Sequence, residues 1–398
     1  MINMQKLKII VGGFIGVMPA GGVTWDYVQY PVGFKALGHE VYYIEDTRLY
    51  PIYQKPGSDY ADASSCVEHL AAVMKYFGFE DHWAYRDEAS GKCFGMTEEK
   101  IKEKCGSADV FVNISCSTFL RDEYVKIPSR VLIDSDPMFT QIQYLSQQMF
   151  TPGEPGLQQM IDAHNYHFTF GENINSDDCR IPRCGLNWKA TRQPVCLEYW
   201  KTKNGFDLSH SSFTTLMNWS AAKVLQYQNE EWGQKDIEFK KIFEIPSFVK
   251  SATFSAVINK TGGTDQFFSK EKIENAGWHI LDPEKSAGDW NAYRQFIDHS
   301  SGEFSVAKNT YVKGRTGWFS CRSACYLAMG KPVVTQDTGW SKFVPSGAGV
   351  FAFDDMAIAK EAIEKIILDY KQQSSFAKEI ANEYFDSNKV LSDLLAQL

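Results

Sequence analysis

The chain has 398 residues, with 41 Lys and Arg against 49 Asp and Glu, a formal net charge of −8. That length exceeds the usual ceiling for one hydrophobic core and predicts two domains, which the 44% hydrophobic and 14% aromatic content can fill. The acidic balance disfavours a general polyanion-binding surface, because phosphate contacts dominate nucleic-acid affinity.

Nine cysteines, an odd number without any C-x-x-C pair, predict reduced thiols, no metal site and a cytoplasmic protein. The opening MINMQKLKIIVGGFIGVM superficially resembles a signal peptide, but its Gly-rich interior and the lack of a small-x-small cleavage site argue against one. No other segment approaches the roughly 20 apolar residues of a membrane span. Lys8 to Val11 reads as a buried strand that enters a glycine-rich loop, Gly12 to Gly22. A helix near Thr24 to Leu37 follows, ending at Gly38, and HEVYYIEDT supplies the next strand. This order opens a doubly wound α/β domain. Further strands are predicted at Asp109–Ile114, Arg130–Ile133 and Tyr166–Phe170, and helices at Ala63–Tyr76 and Thr97–Cys105. After an irregular stretch from Asn173 to Trp200, the alternation begins again. Strands are predicted at Phe213–Asn218, Phe254–Ile258, Trp278–Leu281, Phe304–Ala307 and Lys331–Thr335, before a helical tail from Asp355 to Leu398.

The most specific segment is VKGRTGWFSCRSACYLAMGKPVV, Val312 to Val334. Gly314 and Gly317 bracket Arg315 ahead of a helix predicted from about Trp318 to Met329. Cys321, Ala324, Cys325 and Ala328 form a small-residue stripe on it. A glycine-flanked helix N-terminus suits an anionic phosphate. Lys308, Arg315 and Arg322 add cations there, and Ser320 adds a hydroxyl. The other reading is a packed helix with solvated cations.

From GEFSVAKNTYVKGRTGWFS through KPVVTQDTGWSKFVPSGAGVFAF, and in GGVTWDYVQYPVGFKALGHEVYYIED, the chain resembles bacterial glycosyltransferases of the GT-B fold. The resemblance implies two Rossmann-like α/β domains facing across a cleft, with a C-terminal helix crossing back to the first. The expected limits are 1–195 for an acceptor-binding domain, 196–375 for a nucleotide-sugar-binding domain and 376–398 for the returning helix. It further implies a nucleotide-sugar co-substrate of UDP type, no separate cofactor and no bound metal. The acceptor is an unidentified hydroxyl, with nucleic acid disfavoured.

On this resemblance Lys308, Arg315, Gly317, Trp318, Ser320 and Arg322 are expected at the donor diphosphate, and Asp337, Thr338 and Gly339 at the donor sugar. Asn218, Trp219 and Ser220 are placed at the nucleotide, together with Glu244 and Ile245. One departure stands out. Many such enzymes carry two glutamates along the corresponding helix, and Gly317 and Cys325 occupy those positions here. The ribose contact must then come from elsewhere.

Each candidate also has a plainer reading. Asp337 sits where open α/β sheets bind ligands, yet Asp-Thr-Gly also favours a turn. Asp26 is a candidate general base facing the donor, but acids are favoured at a helix start without any catalysis. Asp136, with Asp134, is the second candidate, or part of a turn before Pro137. His164 and His167 read as structural, and Trp188, Arg192 and Trp200 as linker anchors or an acceptor groove. An NAD-dependent oxidoreductase is the first competing function, but the G-x-G-x-x-G template fails because Val11 takes its first position. A sugar-nucleotide epimerase, a non-catalytic binder and a DNA-base glucosylating enzyme complete the alternatives.

Overall fold

The computed structural model describes residues 6–52, 59–146, 156–202, 212–220, 224–259 and 269–398. The first five residues of the signal-like opening, and residues 203–211 of the crossover between the halves, lie outside them.

Two sheets organise the chain. The first contains β1 (Lys8–Gly12), β2 (Glu40–Glu45), β3 (Trp83–Arg86), β4 (Cys93–Gly95), β5 (Val110–Ile114), β6 (Ser129–Asp134), β7 (Tyr166–Thr169) and β8 (Trp188–Ala190). Their spatial order is β4-β3-β2-β1-β5-β6-β7-β8, parallel except for the β3–β4 pair. After β9 (Phe213–Asn218) comes a hairpin of β10 (Leu225–Tyr227) and β11 (Glu230–Trp232). Then follow β12 (Phe254–Asn259), β13 (Trp278–Leu281), β14 (Gly302–Ser305), β15 (Val333–Gln336) and β16 (Val350–Phe353). The second sheet is all parallel, in the order β13-β12-β9-β14-β15-β16. Strands such as KIIV and FSAVI are largely apolar because helices cover both faces. Each sheet starts in its middle and winds outward both ways. Its ligand crevice therefore lies at the carboxyl ends of β1 and β5, or of β9 and β14.

The expected helix from Trp318 to Met329 starts later, at Cys321, and a separate short helix precedes it. Asn309–Gly314 is helical and ends in a left-handed Arg315; Cys321–Ala328 is the next helix. Between them Asn173 N donates to Thr316 O (3.1 Å) and Gly317 N donates to Thr338 O (2.8 Å), which holds the backbone extended. The short strands β3, β4 and β8 and the hairpin lack long apolar runs and are not among the predicted elements.

The tail returns to the first sheet's lobe. Val195 and Asp386 bridge in parallel, Val195 N donating to Phe385 O (2.7 Å) and Ser387 N to Val195 O (2.9 Å). The Ser387–Leu395 helix then packs on the Gly21–Ala36 helix where Gly33 leaves room; a Cβ there would lie 2.5 Å from Leu391 Cδ1. One apolar core runs through both lobes, joining Trp25, Trp200 and Val11 to Tyr293, Phe319 and Val333. Burying each such large side chain contributes roughly 1.5–3 kcal/mol. Among the described residues no helix is long and apolar enough to cross a membrane.

Candidate functional site

Several contacts join the lobes around the cleft. The Gly21–Ala36 helix abuts the Trp290–His299 helix; a Cβ on Gly21 would sit 2.2 Å from Asp289 O, and Trp25 Nε1 donates to Trp290 O (2.8 Å). Asp136, just beyond β6, ion-pairs with Lys308 and accepts from the Tyr311 hydroxyl. Gly317, at φ +79°, lies against Asn173, where a Cβ would come within 2.5 Å of the amide nitrogen.

Between these contacts the two candidate catalytic carboxylates, Asp26 and Asp136, meet three cations of the second lobe. Asp26 projects from the first helix toward Cys321, whose thiol hydrogen-bonds it, and feels Arg322, Asp136 and Lys235. Burial dominates, against the pull of Arg322, and raises its carboxyl from 3.8 to about 7. Asp136 moves the opposite way. Burial pushes it up, but the Lys308 charge and hydrogen bond, with Tyr311, hold it below the carboxylate range.

Lys235 is the cation that sequence reasoning missed. It opens the Lys235–Ile242 helix, has no ion pair among the described residues, and is held well below the usual lysine range by burial, then by Arg322 and Lys308. A helix following a parallel strand runs back along the sheet, so its first residue lies at the carboxyl-end crevice. The β10–β11 hairpin separates Lys235 from β9 and hides that relation in the sequence.

Several expected donor contacts have other partners. Arg322 faces the cleft, but its Nε pairs with buried Glu303 (2.6 Å) and its Nη1 donates to Leu216 O. Arg315 pairs with Asp178 (2.9 Å) at the exposed seam, beside Lys342 (2.6 Å from Asp178), and Gly317 is taken up by Asn173. Trp318 stacks on Tyr311, with ring centroids 4.5 Å apart, and donates to Ser135 O (3.1 Å), so it walls the cleft. Ser320 is the N-cap residue of the Cys321–Ala328 helix and makes no side-chain cap bond.

Asp337 serves a turn, accepting from Gly339 N (2.8 Å) and Ser341 Oγ (2.9 Å). Thr338 donates to Trp318 O (2.7 Å), and Gly339 lies against Asn173. Asn218 ends β9 at the crevice with Ser220 close behind, whereas Trp219 is buried against Phe239. Glu244 and Ile245 are remote. They follow the carboxyl end of the Lys235–Ile242 helix, beside Phe243, whose carbonyl takes Trp278 Nε1 (2.6 Å) at the amino end of β13. The helix direction places them toward the amino end of β13 rather than at the crevice with Asn218 and Lys235.

In the first lobe Asp134 is structural, accepting from Thr140 (2.6 Å), Gln141 (2.8 Å) and Thr169 (2.8 Å). His164 and His167 hydrogen-bond the carbonyls of Met160 and Ile161, and Trp200 anchors to Gln29 Oε1 (3.0 Å). Arg192 pairs with Glu172. The glycine-rich loop is also committed. Glu45 accepts from Gly16 N (2.8 Å) and Val17 N (2.6 Å), and Tyr43 from Ile15 N (3.1 Å). A dinucleotide would need both those amides and that acid. Among the described residues no three His, Cys, Asp or Glu converge as metal ligands would.

No protein-family model matches the sequence, and no curated protein sequence matches it. Solved structures do. An α-glucosyltransferase in complex with UDP-glucose and DNA containing an abasic site superposes with a TM-score of 0.59 at 12% identity, covering 99% of each chain. AviGT4, a glycosyltransferase involved in avilamycin A biosynthesis, gives 0.54 at 11%, over 98% of this chain and 96% of its own. A glycosyltransferase from Rickettsia africae ESF-5 gives 0.52 at 11%, over 99% and 98%. The chain has the GT-B fold, two Rossmann-like lobes facing across a cleft.

Proposed function

We propose that this protein transfers a sugar from a nucleoside diphosphate to an acceptor hydroxyl. The observation carrying this reading is the convergence of Lys235, Lys308 and Arg322 opposite Asp26 at the second lobe's switch point. Three cations, each at the start of its own helix, match the charge that accumulates on a departing diphosphate. Lys235, without an ion-pair partner, is the group that gains most from a phosphate oxygen. Asp26 lies across the cleft with a carboxyl raised to about 7, the range suited to accepting a proton from an attacking hydroxyl near neutral pH. The lobes' contacts exclude water while the anomeric carbon is exposed to attack. Because the protein supplies the countercharge, catalysis is metal-independent in this proposal. The N-terminal part to about residue 195 carries the acceptor, the part from 196 the donor, and the last helix ties the two.

UDP is the first donor nucleotide to test, since similar structures contain UDP or UDP-glucose. Melting curves with UDP, GDP, dTDP and NAD, followed by nucleotide release from the matching sugar donor in EDTA, test the proposal. A nucleoside diphosphate is expected to raise the melting temperature, and NAD to leave it unchanged. Stabilisation by NAD alone, or release only with added metal, overturns the corresponding statement. Conversion of the donor sugar without transfer would identify an epimerase.

A further inference from the structure

The crevice at the first lobe's own switch point, between β1 and β5, has a composition that the donor reading does not use. Its outer wall is the turn Ser115-Cys116-Ser117-Thr118, directly after β5. Ser115 and Cys116 both take left-handed backbone conformations, at φ 56° and 52°. Neither is a glycine or an asparagine, so the turn is strained. The fold holds it there. Ser115 N donates to Ile133 O (2.7 Å), and the buried side chain of Asn113 spans the turn, accepting from Thr118 N (3.0 Å) and donating to Thr118 O (3.1 Å). Strain that is overdetermined in this way, at the ligand end of a sheet, marks a site.

The turn presents a hydroxyl. Ser115 Oγ lies 2.6 Å from Ser135 Oγ and within hydrogen-bonding reach of the Tyr27 hydroxyl. Tyr27 follows Asp26 in the chain, and Ser135 precedes Asp136, so Ser115 touches the immediate neighbours of both cleft carboxylates. Ser117 Oγ and Thr118 Oγ1 are sealed from solvent, so Ser115 supplies the hydroxyl that the turn presents. Phe14 and Tyr27 stack, with centroids 6.3 Å apart and planes at 28°, which sets aromatic carbon beside the Tyr27 hydroxyl. Residues 1–195 carry 24 Asp and Glu against 18 Lys and Arg, a charge that repels polyanions.

We infer that the Ser115–Thr118 turn, with Ser135 and Tyr27, holds a neutral polyhydroxylated acceptor, a sugar, and presents one of its hydroxyls to Asp26. Serine and tyrosine hydroxyls both donate and accept, as a sugar's hydroxyls require, and an aromatic face suits its C–H side. This inference rests on the donor assignment proposed above.

The test uses the full chain with UDP-glucose and three acceptor probes: a set of neutral mono- and disaccharides, p-nitrophenol, and a duplex DNA carrying hydroxymethyluracil. UDP release above the acceptor-free rate is expected with a saccharide. Ser115→Ala should raise the saccharide KM at least tenfold while calorimetric UDP affinity stays within twofold. Ser115→Gly, which relieves the left-handed strain, should melt higher than the parent and still lose acceptor affinity. Turnover only with the phenol or the DNA, no turnover with any saccharide, or an unchanged saccharide KM in both variants overturns the inference while UDP still binds. Failure of UDP to bind takes down the donor assignment first, and this inference with it.

Discussion

Asp26→Asn separates folding from chemistry at one atom pair. Asp26 titrates at about 7 in the folded chain against 3.8 without its surroundings, a difference of ~4 kcal/mol if fully expressed. Asp26 as a residue is only half-buried, and solvent screening brings the expected effect to about 1–3 kcal/mol. A carboxyl raised by burial binds its proton more tightly folded than unfolded. The stability it contributes in its protonated form is fully present below pH 4, declines as pH rises from 4 to 7, and is lost above 7. Asparagine has no charge to bury.

The variant should therefore melt above the parent at pH 8, by ~2–4 °C per kcal/mol for a cooperative unit of this size. The gap should close as the pH is lowered toward 4. Turnover should move the opposite way, falling roughly 10²–10⁴-fold because the amide cannot take a proton. In the parent, turnover should fall as pH drops below about 7. Differential scanning calorimetry from pH 4 to 8, paired with donor-turnover assays, measures both. A variant no more stable than the parent at pH 8, or one retaining more than a tenth of parental turnover, refutes the assignment of Asp26 as a buried base.

Lys235→Ala removes a cation that leaves no buried partner behind, so nucleoside diphosphate affinity should fall ~10–100-fold, as expected for one charge-assisted hydrogen bond, with the melting temperature held or raised. Arg322→Ala, by contrast, strands buried Glu303 and should cost about 3–5 kcal/mol of folding stability; a melting temperature within a few degrees of the parent's contradicts that pairing. Diphosphate binding should take up protons at pH 7–8, since added negative charge raises Asp26, whose carboxyl lies at about 7. Calorimetry in Tris and HEPES reads the sign, and proton release argues against the cluster. Gly317→Ala, at φ +79° against Asn173, should cost about 1–3 kcal/mol of stability with diphosphate affinity unchanged. Lost affinity at constant stability would instead put Gly317 at the phosphates.

The architecture was largely legible because parallel strands buried on both faces read as continuous apolar runs. Phe213–Asn218 and Trp278–Leu281 fall where the pattern places them. The diphosphate cluster was legible only in part. Lys308 and Arg322 carry a glycine-and-cation signature, but Arg315 and Gly317 share it and serve the lobe seam, where Asp178 and Asn173 engage them. Nothing in a local motif distinguishes a left-handed glycine that meets a phosphate from one that meets another backbone amide. Lys235 has no motif at all; only the return direction of its helix brings it to the crevice. Glu244 and Ile245 show the reverse, adjacent in sequence to that helix yet carried away by its length.

The same reasoning decides between the two carboxylates that the sequence offered as catalytic. Both stand in one cleft, yet their surroundings push them apart. Asp26 faces a thiol and more distant cations, and burial raises it to about 7; Asp136 holds Lys308 and the Tyr311 hydroxyl directly and stays ionised. A group already neutralised by a lysine has little affinity for a proton from an acceptor, so in the proposed transfer the base is Asp26. Asp136 instead binds a cation that the diphosphate would also seek. It joins the lobes through Lys308 and raises its neighbour's affinity for a proton by its own negative charge. In the proposed transfer the second candidate acid, Asp136, thus acts through electrostatics rather than as the base.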